Sequence, residues 1–566
     1  MRGRLGAATV RRTRGAGATG RRPRPPQGQD RSRSGSSRGR YPTRTAQEEN
    51  GEGLVNPNGI DNDRGFLGHP RGLSTLFFTE MWERFSYYGM RAILILFMVA
   101  PLTEGGLGMA VPEAGAVQGT YTAMVYMMTM VGGWFADKLF GLRRSVFVGG
   151  VLIMAGHISL AIPGLASFYL GLLLVVLGTG LLKGNVSVMV GQLYRPEDTR
   201  RDAGYSLYYM GVNLGGFLGP FFCGYFAQQP AFRERLIGWG FAPETAWHFG
   251  FGAAAVGMLF GLIQYSLGKD RFPATVERPL GVSNDTERSQ ARRQFGMALG
   301  GVLLVVLAAV GLNSAGTITI TPQGFAGGVD VFLVVLTVGF FFWLFTVAKW
   351  TPEERKRLVV ILVLFMGASI FWAGFEQGAS TLNLFADRNT ANTIFGWAYP
   401  SSWLQSVNSF FIIVMAPLVG LVWLKLGVRN PSSPAKFSLG LFFLALAYVL
   451  MIGASLSAAA GGRVTPMWLV GCYFLQTIGE LCLSPVGMGA MSTLAPARAQ
   501  GLIMGVWFLA SAIGNKVAGR VGGLYESFSI TTLFTANAGF VLIFALIMAL
   551  LIVPIKNMRA RKTASV

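Results

Sequence analysis

Residues 80–91 read Glu80-Met81-Trp82-Glu83-Arg84-Phe85-Ser86-Tyr87-Tyr88-Gly89-Met90-Arg91, which places four ionisable side chains inside an apolar stretch. Apolar sequence flanks them from Leu73 to Phe78 and from Ala92 to Leu102, as in a membrane-spanning helix. At about 100° per residue, one sector of that helix contains Glu80, Glu83, Arg84, Tyr87 and Arg91. A lone charge at the centre of such a helix costs roughly 3 kcal/mol. The sector is therefore predicted to face a protein-lined or water-filled cavity and to be functional.

The composition is that of a polytopic membrane protein, because 52% of the 566 residues are hydrophobic and only 13% are charged. The formal net charge of +21 would suggest a nucleic-acid partner on a soluble surface. Here the basic residues lie in an amino-terminal tail and in alternate loops, which favours a lipid bilayer and no nucleic acid. The three cysteines lie in apolar runs and there are three histidines, so neither disulfides nor a metal is predicted. No motif indicates covalent chemistry or a nucleotide cofactor, and the protein is not expected to be an enzyme.

Fourteen apolar runs, each long enough to cross a hydrocarbon core of roughly 30 Å, follow in a pattern of six, two and six. The first six are Leu73–Leu102, Val117–Phe135, Ser145–Ile162, Ser167–Val190, Gly204–Phe226 and Trp247–Leu267. The next two, Phe295–Leu312 and Val329–Ala348, contain almost no ionisable residues. The last six are Leu358–Leu384, Trp403–Trp423, Phe437–Leu456, Met467–Met491, Leu502–Leu524 and Leu533–Ile555. The sequence thus predicts an all-α membrane protein.

These runs divide the chain into six predicted segments. They are a disordered basic tail (1–72), a six-helix bundle (73–267), a connector (268–294), an inserted helix pair (295–349), a second six-helix bundle (350–555) and a short tail (556–566). The first tail is rich in Arg, Gly, Ser, Pro and Gln and cannot bury enough surface to fold. We expect it to be solvated, with contact to anionic lipid as an alternative.

The basic loops set the predicted orientation. They contain Lys138, Arg143 and Arg144; Arg195, Arg200 and Arg201; Lys269 to Arg293; Lys349 and Arg355 to Arg357; Lys425, Arg429 and Lys436; and Lys556 to Lys562. All of these loops fall on one side, and the main exception is the pair Arg233 and Arg235. By the positive-inside rule, both termini are predicted to be cytoplasmic in a multi-pass protein of the cell membrane.

Five further spans contain polar or aromatic residues that core packing does not readily explain. These residues are Lys183, Asn213, Trp372, Glu376, Asn408, Glu480 and Ser484. Glu376 and Glu480 are each the only acid of their span, and Pro485 interrupts the backbone hydrogen bonds after Glu480.

The signs of these charges differ between the two halves of the chain. The amino half supplies Arg84, Arg91 and Lys183 against two acids, whereas the spans of the carboxy half are taken to supply Glu376 and Glu480 with no internal base. A cleft between the halves would be cationic on one wall and anionic on the other, which suits a zwitterion.

A structural interpretation stays open beside this one, because buried charges in proteins are usually paired with one another. The aromatic residues Tyr87, Tyr88, Tyr126, Trp507 and Phe508 could fill the core or contact a ligand. The glycines of these spans are more simply explained as helix contacts than as ligand contacts. They are Gly178, Gly180, Gly215 and Gly216.

At these residues the sequence resembles the proton-dependent oligopeptide transporter family of the major facilitator superfamily. Glu80, Glu83 and Arg84 match its first-helix E-x-x-E-R signature. Further matches are Tyr205–Phe217, Phe371–Gly378, Gly479–Pro485 and the superfamily loop Gly133–Lys138. The resemblance runs from about residue 73 to the carboxy terminus, and the inserted pair resembles the bacterial branch.

The sequence also departs from the family pattern. Gly184 follows Lys183 where the family commonly has proline, which leaves the bend of that helix open. The second span has no histidine, so histidine-based coupling as in animal members is not predicted. The seventh core span lacks the histidine that some plant members use for nitrate.

The resemblance implies a major facilitator fold and proton-coupled symport of di- and tripeptides, with the proton as the coupling ion and no other cofactor. It implies that Glu80, Glu83 or Glu376 exchanges protons, with Arg84 beside them. It also implies that Arg91 with Glu376, and Lys183 with Glu480, form alternating gate pairs.

The charge asymmetry and the resemblance together predict the substrate contacts. Arg91 and Lys183, with Arg84 nearby, would bind the peptide carboxylate, and Glu480 the ammonium with Asn213 and Asn408. The predicted side-chain pockets contain Tyr87, Tyr88, Tyr126, Trp372, Ser484, Trp507 and Phe508. Two alternatives remain: a transporter of the same fold for another solute such as nitrate, a drug or a modified peptide, and a membrane nutrient sensor.

Overall fold

The computed structural model of the chain describes residues 63–195, 197–282 and 284–560. The predicted disordered tail therefore lies outside them over residues 1–62, as does the end of the predicted carboxy-terminal tail over 561–566.

Sixteen α-helices occur in the described residues. They are α1 (Arg71–Val99), α2 (Val111–Phe135), α3 (Leu142–Leu160), α4 (Leu165–Gln192), α5 (Arg201–Gln228), α6 (Pro230–Gly238), α7 (Ala246–Leu267), α8 (Asp285–Ser314), α9 (Pro322–Phe342), α10 (Pro352–Phe375), α11 (Thr381–Arg388), α12 (Ser406–Leu426), α13 (Ser433–Gly461), α14 (Met467–Leu494), α15 (Gln500–Gly523) and α16 (Ile530–Ala560). A short antiparallel hairpin of β1 (Thr393–Ile394) and β2 (Trp397–Ala398) lies between α11 and α12.

Ten stretches of helix in the described part of the chain are long and apolar enough to cross a membrane. Four other long helices, α1, α2, α3 and α5, are not among them. α1 contains Glu80, Glu83, Arg84 and Arg91, which lower its mean hydropathy although the helix is largely buried. The exact number of fourteen membrane crossings stays a prediction.

The helices of the amino half, α1–α5 and α7, pack on one another, and α2 packs just as closely on α15 of the carboxy half. Their glycines permit close approach: a Cβ atom on Gly180 would lie 2.7 Å from Met128 of α2, and one on Gly215 would lie 2.1 Å from the carbonyl oxygen of Met81. Gly178 contacts Gly149 of α3 in the same way, and Gly216 contacts Ser409 of α12. The predicted role of these glycines as helix contacts is confirmed.

The carboxy half, α10–α16, forms a second group, in which α13 packs on α14 and α16, and α10 packs on α15. The predicted span Leu358–Leu384 lies within one apolar stretch, Pro352–Arg388, that is long enough to cross a membrane, but its α-helix is interrupted because α10 ends at Phe375. A short 3₁₀ turn, Glu376–Ala379, separates α10 from α11. The Gln377 side chain supports this turn from within by donating to the carbonyl of Ala373, at 3.2 Å, and to Asn537, at 2.9 Å.

The inserted helix pair, α8 and α9, lies on the outside of the protein and is mostly exposed. Its first helix begins earlier than predicted, inside the predicted connector 268–294. The Asn284 side chain caps α8 by accepting from the backbone N–H of Glu287 at 2.8 Å. The first turn of α8 consists of polar residues, which do not extend the apolar run used to predict the helix. The apolar pattern therefore could not reveal where α8 begins.

The end of the predicted disordered tail is also folded. In residues 63–72, Asp63 accepts hydrogen bonds from the backbone N–H groups of Gly65 and Arg71. His69 Nδ1 lies 2.9 Å from the hydroxyl of Tyr194, and α1 begins at Arg71. Residues 63–72 of the predicted tail therefore form a turn that Asp63 holds from within and that Tyr194, from the loop before α5, contacts through His69. The predicted domain boundaries stay a prediction.

The two halves contact each other toward one end, where α1, α5 and α15 finish and α2 begins; we call this the closed end. Asn383 of α11 donates to the carbonyl of Ala92 of α1 at 2.8 Å. Ser406 of α12 donates to the carbonyl of Phe217 of α5 at 2.7 Å. α2 and α15 meet through Gly119 and Gly519, where an added Cβ on Gly119 would lie 3.0 Å from the Cα of Gly519.

Candidate functional site

The charged sector of α1 forms a buried cluster. Arg84 Nε donates a hydrogen bond to Glu83 Oε2 and lies 3.3 Å from Glu80 Oε1 as an ion pair, and the three side chains are at most 3% exposed. The guanidinium also lies over the ring of Tyr87, 4.9 Å from its centroid, and 6.0 Å from that of Tyr88. Each of the three charged residues retains an atom without a protein hydrogen bond among the described residues, namely Glu80 Oε2, Glu83 Oε1 and Arg84 Nη2. The cluster is thus only partly satisfied by the protein.

Arg91 and Glu376 form an ion pair between the two halves. The Arg91 side chain is 12% exposed and the Glu376 side chain is 4% exposed. Glu376 is the first residue of the 3₁₀ turn that follows α10, so the predicted pair forms at the helix break.

Lys183 of α4 has a different environment. Its ammonium lies 4.3 Å from the centroid of the Tyr126 ring of α2. No ion pair within 4.0 Å joins Lys183 to a carboxylate of the described residues. A cation–π contact is weaker than an ion pair, so the Lys183 ammonium can still bind an anionic ligand group.

Glu480 of α14 is 8% exposed and lies in a polar group of the carboxy half. Asn408 Nδ2 donates to Glu480 Oε2 at 3.4 Å and to Thr477 Oγ1 at 2.9 Å. No basic side chain of the described residues forms an ion pair with Glu480. The predicted pair Lys183 and Glu480 is not formed in this structure.

Thr477 was missed by the sequence analysis. It lies three residues before Glu480 on α14 and accepts a hydrogen bond from the same Asn408 amide. Residues three apart share a helix face, so the position of Thr477 relative to Glu480 was the available signal.

The other predicted contacts are placed as follows. Asn213 donates to the carbonyl of Tyr209 within α5, at 2.9 Å. Ser484 and Phe508 are half-buried, and Trp507 is 4% exposed and packs on Gly487. Trp372 Nε1 has no protein partner in the described residues. Trp507 therefore packs inside the carboxy half, whereas Trp372 retains a donor that a ligand could use.

The described residues contain no group of three or more His, Cys, Asp or Glu placed to hold a metal ion. Cys223, Cys472 and Cys482 are free and buried. The chemistry available at this site is that of paired charges and hydrogen-bond donors.

Comparison with known proteins identifies the chain. A family model described as the POT family matches residues 143–541. The chain belongs to the POT family. The match contains Lys183, Glu376 and Glu480, and the first-helix motif lies ahead of it. The resemblance predicted from the motifs is confirmed.

Relatives align over most of this POT-family chain. The peptide transporter YePEPT of Yersinia enterocolitica is 38% identical, over 88% of this chain and 96% of its own. The di-/tripeptide transporter of Lactococcus lactis subsp. cremoris is 37% identical, over 85% of this chain and 96% of its own.

A solved structure extends the comparison to the fold. A crystal structure of a mutant of the peptide transporter POT, in complex with alafosfalin, is 40% identical and covers 88% of this chain and 97% of its own. Its TM-score is 0.78. The predicted fold class, an all-α major facilitator protein of two helix bundles with an inserted pair, is confirmed.

Proposed function

We propose that this chain moves di- and tripeptides across the cell membrane together with protons, by alternating opening of the two sides of the molecule. The observation that carries the proposal is the ion pair Arg91–Glu376 between the halves, beside Lys183 and Glu480, which have no ionic partner among the described residues. The relatives named as peptide transporters support the substrate class. The protein acts as a symporter and makes no covalent change to its substrate.

The substrate contacts follow from the charges that remain available. Arg84 is bound by Glu80 and Glu83, and Arg91 by Glu376. Lys183 is therefore the first contact for the peptide carboxylate, and Arg91 joins it when the ion pair opens. Glu480 binds the peptide ammonium beside Asn408, and a charge-assisted hydrogen bond of this kind is about twice as strong as a neutral one.

The remaining predicted residues would surround the peptide. Tyr87, Tyr88 and Tyr126 line the amino side, and Trp372, Ser484 and Phe508 the carboxy side, with Asn213 able to turn its amide from α5. The site would bind the two charged ends and the backbone of the peptide through a few polar groups. It would therefore select only weakly among peptide side chains.

Proton coupling acts through the buried carboxylates. Protonation of Glu376 removes the charge that holds Arg91, so the contact between the halves at the closed end weakens. The cluster of Glu80, Glu83 and Arg84 provides a second place where a proton changes the charge next to the substrate. Each elementary charge that moves inward gains roughly 2.3 kcal/mol per 100 mV of membrane potential.

The positions of the basic loops assign the closed end to the outside of the cell. In that orientation both termini would be cytoplasmic, and the contacts between the halves at the closed end support a state closed to the outside. The second gate pair, Lys183 and Glu480, would form when the cytoplasmic side closes. The two pairs then alternate, so that only one side is open at a time.

The test is uptake of radiolabelled dialanine by purified protein in liposomes, with an inward proton gradient and an inside-negative potential. We expect accumulation above the outside concentration, and its loss when a protonophore is added. Accumulation that the protonophore does not affect would contradict proton coupling. If the folded protein takes up no dialanine, and dialanine fails to compete with another solute that is taken up, the peptide assignment is wrong.

A further inference from the structure

The inserted helix α9 has one ionisable residue, Asp330. Its carboxylate binds two basic residues of α15: Lys516, with Nζ to Oδ1 at 3.3 Å, and Arg520, with Nε to Oδ2 at 3.0 Å. A charge within a membrane-spanning helix is costly unless it is paired. The pairing therefore joins α9, whose helix packs mainly on α2, to α15.

Lys516 also reaches the other half of the molecule. Its ammonium donates to Thr120 Oγ1 of α2 at 2.5 Å, and the Lys516 side chain is only 5% exposed. The Thr120 hydroxyl donates its own proton to the carbonyl of Ala116 at 2.6 Å, so its lone pairs are free to accept. One buried ammonium thus joins α9, α15 and α2.

This group lies at the contact between α2 and α15. A Cβ on Gly119 would lie 3.0 Å from the carbonyl oxygen of Lys516, so the two backbones touch within one turn of Thr120 and Lys516. The contact belongs to the closed end and must separate when that end opens. Separation breaks the bond from Lys516 to Thr120 and admits water to the ammonium.

We propose that Lys516 and Asp330 are positioning residues through which the inserted helix pair stabilises the closed end. Thr120 accepts from Lys516 only while the halves are in contact. Asp330 supplies the opposite charge that the buried ammonium needs in this state and needs less once water reaches it. The inference rests on the proposed alternating opening of the two sides. It adds that α9, through Asp330, stabilises the state in which the closed end is shut.

The test measures how often the closed end opens in the full-length protein in lipid nanodiscs, without substrate. Ser406 is 1% exposed and lies between the halves at the closed end. In a protein whose three cysteines are replaced by alanine, a Ser406→Cys reporter reacts with a membrane-impermeant maleimide only after opening. If closing is fast, the labelling rate is proportional to the open fraction, even when that fraction is small.

We expect Thr120→Val to raise the labelling rate roughly three- to tenfold, because one buried hydrogen bond is lost. Asp330→Asn should raise it roughly tenfold or more, because the buried ammonium loses its carboxylate. The matched control is Thr122→Val on the same helix, whose hydroxyl donates to Gln118 at 2.9 Å within α2, and which should leave the rate unchanged.

The decisive comparison uses the Lys516→Met background, in which Thr120→Val should have no further effect. The proposal is overturned if Thr120→Val and Asp330→Asn leave the rate unchanged, if Thr122→Val raises it equally, or if the Thr120→Val effect persists without Lys516. Because no peptide is present, these outcomes do not depend on the substrate. Failure of dialanine uptake would contradict the proposed function and leave this result standing.

Discussion

At the scale of single residues, the site is defined by which charges have partners. Arg84 and Arg91 are bound by acids, while Lys183 contacts an aromatic ring and Glu480 an amide. In a buried setting, a charge without an ionic partner favours a ligand of opposite sign. Lys183 and Glu480, on opposite halves, therefore fit the two ends of a zwitterion.

Glu480→Gln tests the contact with the peptide ammonium. We expect dialanine to bind about ten- to a hundredfold more weakly, because a hydrogen bond to a charged group contributes roughly 1.5–3 kcal/mol. N-acetyl-dialanine, which has no ammonium, should bind the variant and the parent protein alike. Competition against a labelled peptide measures both affinities.

The control for this variant is Glu113→Gln at the start of α2, away from α14, which should change neither affinity. Equal losses for dialanine and N-acetyl-dialanine would mean that Glu480 supports the site without binding the ammonium. Unchanged dialanine affinity would remove Glu480 from the site.

The charged residues themselves could be predicted, since a charge inside an apolar run stands out in the sequence. Their pairing in one conformation could not, because Arg91 with Glu376 and Lys183 with Glu480 are equally allowed by the pattern. The expectation that the carboxy-half spans contain no base is wrong, because Lys516 lies in the run Leu502–Leu524. The same reasoning applied to Lys516 and Asp330 would have found both. Thr477 was missed because a threonine in an apolar span is common.

At the scale of elements, the helices follow the apolar runs closely, because a bilayer-length run has few other solutions. The errors have physical causes. The apolar pattern continues through Glu376, so the turn between α10 and α11 was invisible, since it depends on the buried contacts of Gln377. The start of α8 was missed because its first turn is polar.

Close helix contacts make a prediction about stability. A methyl group added by Gly215→Ala would lie 2.1 Å from the carbonyl oxygen of Met81, so α1 and α5 must move apart. Overpacking of this kind costs about 1–3 kcal/mol. We expect the apparent Tm of the purified protein, followed by intrinsic fluorescence, to fall by several degrees.

The matched control is Gly300→Ala in α8, where an added Cβ meets no atom within 4 Å. Alanine favours a helix over glycine, so this variant should match or slightly exceed the parent Tm. If both variants unfold at the same temperature, close packing of α1 on α5 does not limit stability.

At the scale of the whole molecule, the contacts between the two halves lie toward one end, which makes the two ends different. Arg91–Glu376, Asn383 with Ala92 and Ser406 with Phe217 join the halves toward one end. The pair Lys183 and Glu480 is not formed. A transporter that alternates needs this asymmetry, because two closed gates would trap the substrate and two open gates would dissipate the gradient.

The central claim is that the charge on Glu376 ties proton entry to the opening of the closed end. Its most direct test compares two activities of Glu376→Gln in liposomes: exchange of labelled for unlabelled dialanine without a gradient, and accumulation driven by a proton gradient. Glutamine carries no charge at any pH, so the bond to Arg91 no longer responds to protons. We expect exchange to persist and gradient-driven accumulation to be lost, with Glu113→Gln retaining both. Gradient-driven accumulation at the parent level in Glu376→Gln would contradict the account.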